Sequence, residues 1–537
     1  MTALAPQRFS PQAWGLWALA IAALFLLRLG AAPLFDVDEG AFAEASREML
    51  ASGDWLHTTL NGRDRFDKPI GVYWLQASSL ALFGVNEFAA RLPSALCGLG
   101  WVLALASFAR PRFGDATAMF AATALGSSLG VLLIGRAATA DALLNLLLVL
   151  TLLDLWRHLE SSAGRPWALR RAALWAGLGV LTKGPVAVLI PFATLMFWLW
   201  RQQGLRALPR AVWRTLAEPG ALALFFLAWA PWYAYALQRH GWAFIDGFLL
   251  QHNLQRFSSP LEGHGGGPLY YLLMLPLLSL PWTPLLAAAL LQIRRHWQQP
   301  LPSFLICWAG FVLVFFSLSG TKLPHYVLYG LTPWLLLGAM SLSSPLSRAW
   351  RWALALSAAV LAVLLGGLMA AAASGRLTAG KAGLYAELIS AAPALPSFAP
   401  GLLGLLLAML LLLWLWPRLS LPQAALATAL LLGGLLVTVV VPWWGQVLQG
   451  PVRAAALQAA QRDASLPGQV WLWRSQTPSF GFYRQQSTPG LPEPRAGDWV
   501  FTRADELKSA PPSAAYEILR PGPGYVLLQW MDKGERP

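Results

Sequence analysis

Apolar residues in this chain come in long blocks, broken by short polar connections. The blocks predict helical spans at about 12–28, 92–109, 116–134, 141–156, 170–182, 185–200, 219–236, 269–289, 302–318, 326–343, 351–372, 400–416 and 423–441. Most approach the roughly 17–25 apolar residues that a bilayer-crossing helix needs. Thirteen such spans predict an all-α polytopic membrane protein. Two regions break the pattern. Residues 31–91 join the first two spans, and residues after about 445 are soluble in character. In the latter, VWLWRS (470–475) and YVLLQW (525–530) read as strands and 455–464 as a helix. The predicted division is therefore 1–444, a membrane domain, and 445–537, a small α/β domain.

Composition agrees with this reading. Of 537 residues, 57% are hydrophobic and 12% charged, about half the charged share of a soluble domain. That excludes a soluble enzyme or a disordered chain. The net charge of +14 would suggest nucleic acid were it clustered on one surface, but arginines account for it. They collect in alternate loops: Arg110 and Arg112; Arg157, Arg165, Arg170 and Arg171; Arg201, Arg206, Arg210 and Arg214; Arg294 and Arg295; Arg348 and Arg351; Arg418. The positive-inside trend makes these loops cytoplasmic, with Arg8 placing the N-terminus there. An odd number of spans then puts the C-terminus outside. The first span reads as a retained anchor rather than a cleaved signal. Cys97 and Cys307 lie in apolar blocks and define neither a disulfide framework nor a metal site.

The opposite face carries different chemistry. The 31–91 loop holds nine acids against five bases. Within it, 39–51 has helical spacing, with Phe42, Ala45, Met49 and Leu50 as an apolar stripe and Glu44, Arg47 and Glu48 opposite, as in a helix lying in the interface. Residues 70–83 form a second apolar stretch, with Tyr73 and Trp74 suited to the headgroup level. A second long outside loop, 237–268, contains His240, His252 and His264, with Arg256 between them. Lysine is scarce, six copies against thirty-three arginines. Three of the six stand beside helix breakers on this face: Asp67-Lys68-Pro69, Lys183-Gly184-Pro185 and Lys322-Leu323-Pro324. Lysines placed against the topological trend suit a buried anion, since lysine binds phosphate as a point charge. Acids share the face: Asp38 and Glu39 after the first span, and Arg136 with Asp141 in a short turn. Ionisable groups at a membrane boundary are costly and usually functional. A carboxylate beside a cationic phosphate pocket can act as general base on an acceptor hydroxyl while the cations stabilise departing phosphate.

The segments VDEGAFAEASREMLASGDW (37–55), RFDKPIGVYWLQ (65–76), GVNEFAARLPSAL (84–96), RAATADALL (136–144), GVLTKGPVAVLIP (179–191), HNLQRF (252–257), HGGGPLYYLLMLP (264–276), SLSGTKLPHYVL (317–328) and TPSFGFYR (477–484) occur in the order of one family. The chain resembles the bacterial aminoarabinose transferases of lipid A and the wider dolichyl-phosphate-mannose protein mannosyltransferase-like family. The resemblance implies the GT-C fold, with about 13 transmembrane helices, interfacial helices in the first outside loop and a periplasmic C-terminal domain. It implies a polyprenyl-phosphate sugar as donor and an inverting transfer. Residue by residue, Asp38 matches the family's catalytic aspartate, Glu39 the acid beside it and Asp141 the second outside acid. Lys68 matches the lysine that holds donor phosphate, with Arg256, Lys322 and Lys183 as further cations. Tyr326 falls in the lysine-leucine-proline motif that approaches the donor. Tyr73, Arg136 and His264 are expected to line the substrate site. Asp67 stands where the aminoarabinose transferases carry a glutamate, a proposed metal ligand.

Two positions depart from the family pattern. Ala41 replaces an arginine, and His252-Asn253 displaces the family's histidine by one residue. A divalent metal at Asp67 and His252 is the one cofactor the resemblance raises, and the displacement counts against it. The departures also favour a sugar or acceptor other than those of the lipid A enzyme. The expected activity is transfer of a hexose or pentose from undecaprenyl phosphate to a lipid, glycan or protein acceptor at the periplasmic face of the inner membrane. No nucleic-acid partner is expected. A transporter or flippase, or a non-catalytic envelope-assembly protein, are the readings from other classes. The former should show inverted repeats and broken mid-membrane helices, and neither is evident in the sequence.

Overall fold

The computed structural model describes residues 8–161, 165–259, 265–342, 346–380, 382–416, 418–463, 470–510 and 515–531. Every predicted span is helical. Pro11–Leu26 is the first. The spans 92–109 and 116–134 fall in one run, Glu87–Ser127, bent at Gly114 (φ 82°) and continued by Leu129–Gly135. Asp141–Leu159, Pro166–Lys183, Val186–Gln203 and Pro219–His240 follow. The span at 269–289 is a bent pair, Tyr270–Leu278 and Thr283–Leu291, turning by 117°. Pro300–Leu318 leads into a 3-10 turn, Pro324–Gly330, and then Leu331–Ser341. Arg348–Ala373, Ala399–Leu415 and the Leu421–Gln461 run complete the set. Among the described residues, six helices are long and apolar enough to cross a membrane alone, or seven with the bent pair. Pro11–Leu26 and Ala399–Leu415 are apolar but shorter.

Tryptophan ties the helices together. Trp17, Trp101, Trp282, Trp308 and Trp414 are among the largest fully buried side chains. Without water, each indole N–H needs a partner from a neighbouring segment. Trp17 donates to Thr123 Oγ1 at 2.8 Å, Trp101 to Thr332 Oγ1 at 2.8 Å and Trp282 to Ser127 Oγ at 2.9 Å. Trp308 donates to the Tyr329 carbonyl at 2.7 Å, and Trp414 to Thr428 Oγ1 at 2.9 Å. These bonds fix helix register in a core where apolar packing alone discriminates poorly.

The 31–91 connection contains the two expected helices, Asp38–Ser52 and Gly71–Phe83, with a short antiparallel hairpin between them, β1 (Thr59–Leu60) and β2 (Arg63–Asp64). One expectation is corrected. The polar face of Asp38–Ser52 is not solvated: Glu44, Arg47 and Glu48 are as buried as the apolar stripe. The short helix Ser479–Arg484 covers them, and Arg47 donates to the Gln485 carbonyl at 3.3 Å. Glu44 pairs with Arg47 at 2.7 Å, while Glu48 accepts from Thr59 Oγ1 and the Gly62 N–H.

That covering helix belongs to the C-terminal region. Helix Val441–Asp463 runs straight across the predicted 444/445 division, so no linker marks it. A four-stranded sheet follows, in the order β3 (Val470–Leu472), β4 (Trp499–Arg503), β6 (Tyr525–Met531), β5 (Ala515–Pro521). β3 pairs parallel with β4, and the other pairs are antiparallel. Two of the four strands were expected; β4 and β5 were not.

Candidate active site

Residues from several separate connections meet around one cavity. Its volume is about 460 Å³, and its polar lining includes Asp67, Lys68, Lys183, His252, Tyr326 and Tyr329. Leu189, Leu249, Leu250, Leu254, Phe257, Phe315 and Phe316 line the rest. Two lysines among many apolar side chains in one lining suit an amphiphile with an anionic headgroup.

Lys183 is the last residue of Pro166–Lys183. Gly184 ends that helix at φ 89°, and a Cβ there would meet the Phe248 ring at 2.5 Å, so only glycine allows this turn. Lys183 Nζ lies 2.5 Å from Asp141 Oδ1 and donates to the Tyr329 hydroxyl at 2.8 Å. Tyr329 in turn donates to Asp141 Oδ1 at 2.6 Å, and His325 Nε2 stands 3.4 Å from the same oxygen. Asp141 begins helix Asp141–Leu159 and is buried. Its oxygen is thus committed to Lys183, Tyr329 and His325, and it holds the ammonium at the cavity wall.

Asp67 and Lys68 come from the loop after β2. Arg65 Nη2 donates to Asp67 Oδ2 at 2.6 Å, Lys68 Nζ lies 3.4 Å from Asp67 Oδ1, and His252 Nδ1 lies 2.7 Å from that oxygen. Burial would raise the Asp67 carboxyl, but Lys68, His252 and Arg65 outweigh it and hold it well below the usual carboxylate range. Two ligands on one divalent ion stand about 3.4 Å apart in tetrahedral geometry. Here the two groups touch each other, and two cations occupy the carboxylate. Asp67 and His252 therefore do not fit a divalent metal in this arrangement.

Asp38 is exposed on the first turn of Asp38–Ser52, with the Arg65 guanidinium within reach of its charge. Arg65 also donates to the Tyr73 hydroxyl at 3.1 Å. Tyr73 is fully buried behind it, stacked on Phe42 at 5.5 Å, and does not line the cavity.

Three other expected residues lie elsewhere. Glu39 is buried against Arg91 at 2.7 Å and also accepts from the Phe35 and Ala138 N–H groups. Burial opposes ionisation of its carboxyl, but Arg91 holds it below the usual range. Arg136 donates to the carbonyls of Leu24, Phe25 and Leu27, closing the end of Pro11–Leu26. Glu39 and Arg136 line a second cavity with Arg28 and Arg91. Lys322 donates to the carbonyls of Phe316, Ser317 and Ser319, capping Pro300–Leu318. All three are consumed by backbone or ion-pair bonds that the fold requires. The Arg256 side chain and His264 lie outside the described residues.

Arg65, His325 and Tyr329 were not singled out from sequence. The signal for Tyr329 was present: Tyr326 and Tyr329 are three apart, and residues at i and i+3 eclipse on a 3-10 helix. Their rings stack at 6.0 Å, and the Lys183 ammonium sits 5.2 Å and 5.5 Å from the two centroids.

Apolar helices, two further helices and a hairpin in the first long connection, and a small C-terminal sheet are the architecture of the GT-C fold. Comparison with known proteins agrees. Residues 67–232 match the family described as dolichyl-phosphate-mannose-protein mannosyltransferase. Undecaprenyl phosphate-alpha-4-amino-4-deoxy-L-arabinose arabinosyl transferase of Pseudomonas paraeruginosa is 33% identical over 349 residues, 63% of this chain and 61% of the relative. A Pseudomonas fluorescens transferase of the same description, numbered 2, is 35% identical over 333 residues, 60% of this chain and 55% of the relative. These matches span about three fifths of the curated relatives' length. The crystal structure of ArnT from Cupriavidus metallidurans bound to undecaprenyl phosphate superposes with TM-score 0.80 at 21% identity, covering 97% of this chain and 98% of that one. The resemblance read from the motifs therefore holds: the chain is ArnT-like in sequence and shares the GT-C fold along nearly its whole length.

Proposed function

We propose that the protein is an inverting glycosyltransferase that moves a sugar from a polyprenyl phosphate to a lipid acceptor at the periplasmic face of the bacterial inner membrane. The observation that carries this reading is the cavity, whose lining combines Lys68 and Lys183 with leucine and phenylalanine side chains. The names of the relatives and the structure bound to undecaprenyl phosphate support the same donor class.

In this reading the phosphate sits between Lys68 and Lys183, and the prenyl chain follows Leu249, Leu250, Leu254 and Phe257. Both lysines are tethered by carboxylates, Lys68 by Asp67 and Lys183 by Asp141, so little side-chain entropy is lost when phosphate arrives. An acceptor oxygen attacks the anomeric carbon, the bond from that carbon to the phosphate oxygen breaks, and the phosphate keeps the electron pair. The lysines stabilise the charge that develops on the leaving group. Asp38, exposed and poised by Arg65, orients the acceptor and takes its proton when the acceptor is a hydroxyl. An acceptor that is already an ionised phosphate needs no base, and Asp38 then orients it. Thirteen crossings, with the C-terminal sheet outside, complete the reading.

The test compares a deletion strain complemented with wild type, Asp38→Ala or Lys68→Ala at equal membrane abundance, by mass spectrometry of lipid-linked and surface glycans. Loss of one glycoform with accumulation of its polyprenyl-phosphate sugar in both variants is expected. If both variants restore the wild-type profile, the assignment fails.

A further inference from the structure

We propose that His57, Asp64 and His240 form a binding site for a divalent transition metal of the zinc class, separate from the cavity and taking no part in the bond-making and bond-breaking of transfer. The site would fasten the hairpin of the 31–91 connection to the end of the Pro219–His240 helix.

The backbone brings the three together. Thr59 pairs with Asp64 across β1 and β2, and the Arg65 N–H donates to the Thr58 carbonyl at 2.9 Å. His57 and Asp64 therefore flank the open end of the hairpin. His240 is the last residue of its helix, where Gly241 turns the chain at φ 54°. His57 Nε2 lies 3.2 Å from Asp64 Oδ1, and His240 Nδ1 lies 3.6 Å from Asp64 Oδ2. All three ligand atoms fall within 4.8 Å of one another. A tetrahedral ion with bonds of about 2.0–2.1 Å spaces its ligands about 3.4 Å apart, between the two separations found here. Two imidazoles and one carboxylate are a donor set suited to zinc and its neighbours.

Protein contacts alone leave this cluster unsatisfied. His57 Nε2 is buried, and its approach to Asp64 Oδ1 is not a well-formed hydrogen bond, which is costly for an imidazole nitrogen. The two imidazoles stack at 4.7 Å, 29° from parallel, so protonating both would set like charges face to face. Arg239, beside His240 in sequence, is occupied: it pairs with Asp54 at 2.8 Å and Tyr235 at 2.5 Å. Asp64 is half exposed, which leaves an entry route and a fourth position for water.

The position also gives such an ion a purpose. Phe66, two residues after Asp64, packs edge-on against His240 at 5.1 Å and Phe244 at 6.0 Å. Joining Asp64 to His240 fixes both sides of this aromatic contact. On one side follow Asp67 and Lys68; on the other, the helical segment Ile245–Gln255 that supplies Leu249, Leu250 and His252 to the cavity wall.

The experiment uses the full chain, purified in detergent with a tag free of histidine, stripped with a chelator and titrated with Zn²⁺. Bound zinc is counted after gel filtration, and thermal unfolding is followed with and without zinc. Wild type should retain one equivalent and unfold at higher temperature when loaded. Outer-shell changes at metal sites already weaken binding about 10–100-fold, so loss of a ligand in His57→Ala or His240→Ala should weaken it at least about 100-fold. His57→Gln keeps the size of the side chain. It should unfold like metal-free wild type and show no response to zinc. Three results would overturn the proposal: no zinc on wild type at about 10 µM free metal, well above what structural sites need; an equivalent kept by both histidine variants; or an equivalent lost only in Asp67→Ala and His252→Ala.

Discussion

Asp38 and Glu39 are neighbours in sequence and opposites in use. Successive residues on a helix point about 100° apart. Asp38 is exposed, with the Arg65 guanidinium within reach of its charge, and it is not among the residues that line the lysine cavity. Glu39 is buried against Arg91 and two backbone N–H groups, in a separate cavity. The same contrast separates Lys68 and Lys183, which line open space, from Lys322, whose ammonium is spent on three carbonyls. A charged residue at a membrane boundary can therefore serve the fold as well as the chemistry. What distinguishes the two uses is the place of the side chain: at the wall of the lysine cavity, or spent on the backbone and ion pairs of the fold.

The largest effect should come from the groups spent on the fold. Glu39→Ala leaves Arg91 buried with its main counter-charge gone, a loss of about 3–5 kcal/mol. Thermal unfolding of the solubilised protein should fall steeply and folded yield with it, with activity per folded molecule held close to wild type. A variant that unfolds like wild type would show that Arg91 is satisfied by its carbonyls at Leu29, Ala32 and Pro33. On the open side, Lys68→Ala or Lys183→Ala should leave unfolding near wild type and lower kcat/KM for the lipid-linked donor by about 10²–10³-fold, the usual loss of one group facing developing charge. Lys322→Ala should reverse that pattern, costing stability before activity.

A third carboxylate belongs to neither class. Asp36 accepts from the Ser479 N–H at 3.0 Å and from its hydroxyl, joining the first connection to the C-terminal region. Burial pushes its carboxyl up to about 7, with the Ser479 bonds opposing and the Glu39 charge adding to the rise. Since the unfolded value is near 3.8, the folded chain binds more protons between about pH 4 and 7. Stability from this group therefore falls as pH rises through that window and levels off above it. The slope should be about 1 kcal/mol per pH unit, discounted for its partly exposed edge. Unfolding of Asp36→Asn should lack that slope; an identical slope in wild type and variant would assign it to another group.

Much of this was legible in the sequence. Spans follow from apolar blocks because a bilayer admits no other arrangement of backbone. That Lys68 and Lys183 share one cavity, with Asp67, followed from lysines set beside helix breakers; Tyr326 followed from the family resemblance, and the same lysine pattern wrongly included Lys322. What was not legible depends on long-range packing. Nothing in residues 38–52 reveals that Ser479–Arg484 will cover Glu44 and Arg47. Nor does the Lys322-Leu323-Pro324 motif differ locally from Lys183-Gly184-Pro185. Only the course of Pro300–Leu318 presents its last carbonyls to Lys322, while Gly184 turns the chain and leaves Lys183 with Asp141. Strands β4 and β5 were missed because WVFTR and AYEILRP mix charged residues, and in β5 a proline, with the apolar ones, so neither stands out as VWLWRS and YVLLQW do.

The smallest effect tests how the open side keeps its lysine in place. The Tyr329 hydroxyl accepts from Lys183 and donates to Asp141, closing a triangle with their ion pair. In Tyr329→Phe the ion pair remains, so neither charge is stranded and the chain should fold normally. Both bonds of the hydroxyl are lost, and since Lys183 and Asp141 still satisfy each other the net cost is about 1 kcal/mol. If Lys183 works by standing ready at the cavity wall, that loss should appear as a drop of about 5-fold in kcat/KM for the donor. Unfolding temperature should barely change, because the ring still stacks on Tyr326. If unfolding drops and kinetics do not, Tyr329 belongs with Glu39 among the groups that serve the fold, and the boundary between the two uses runs between Lys183 and its own partner.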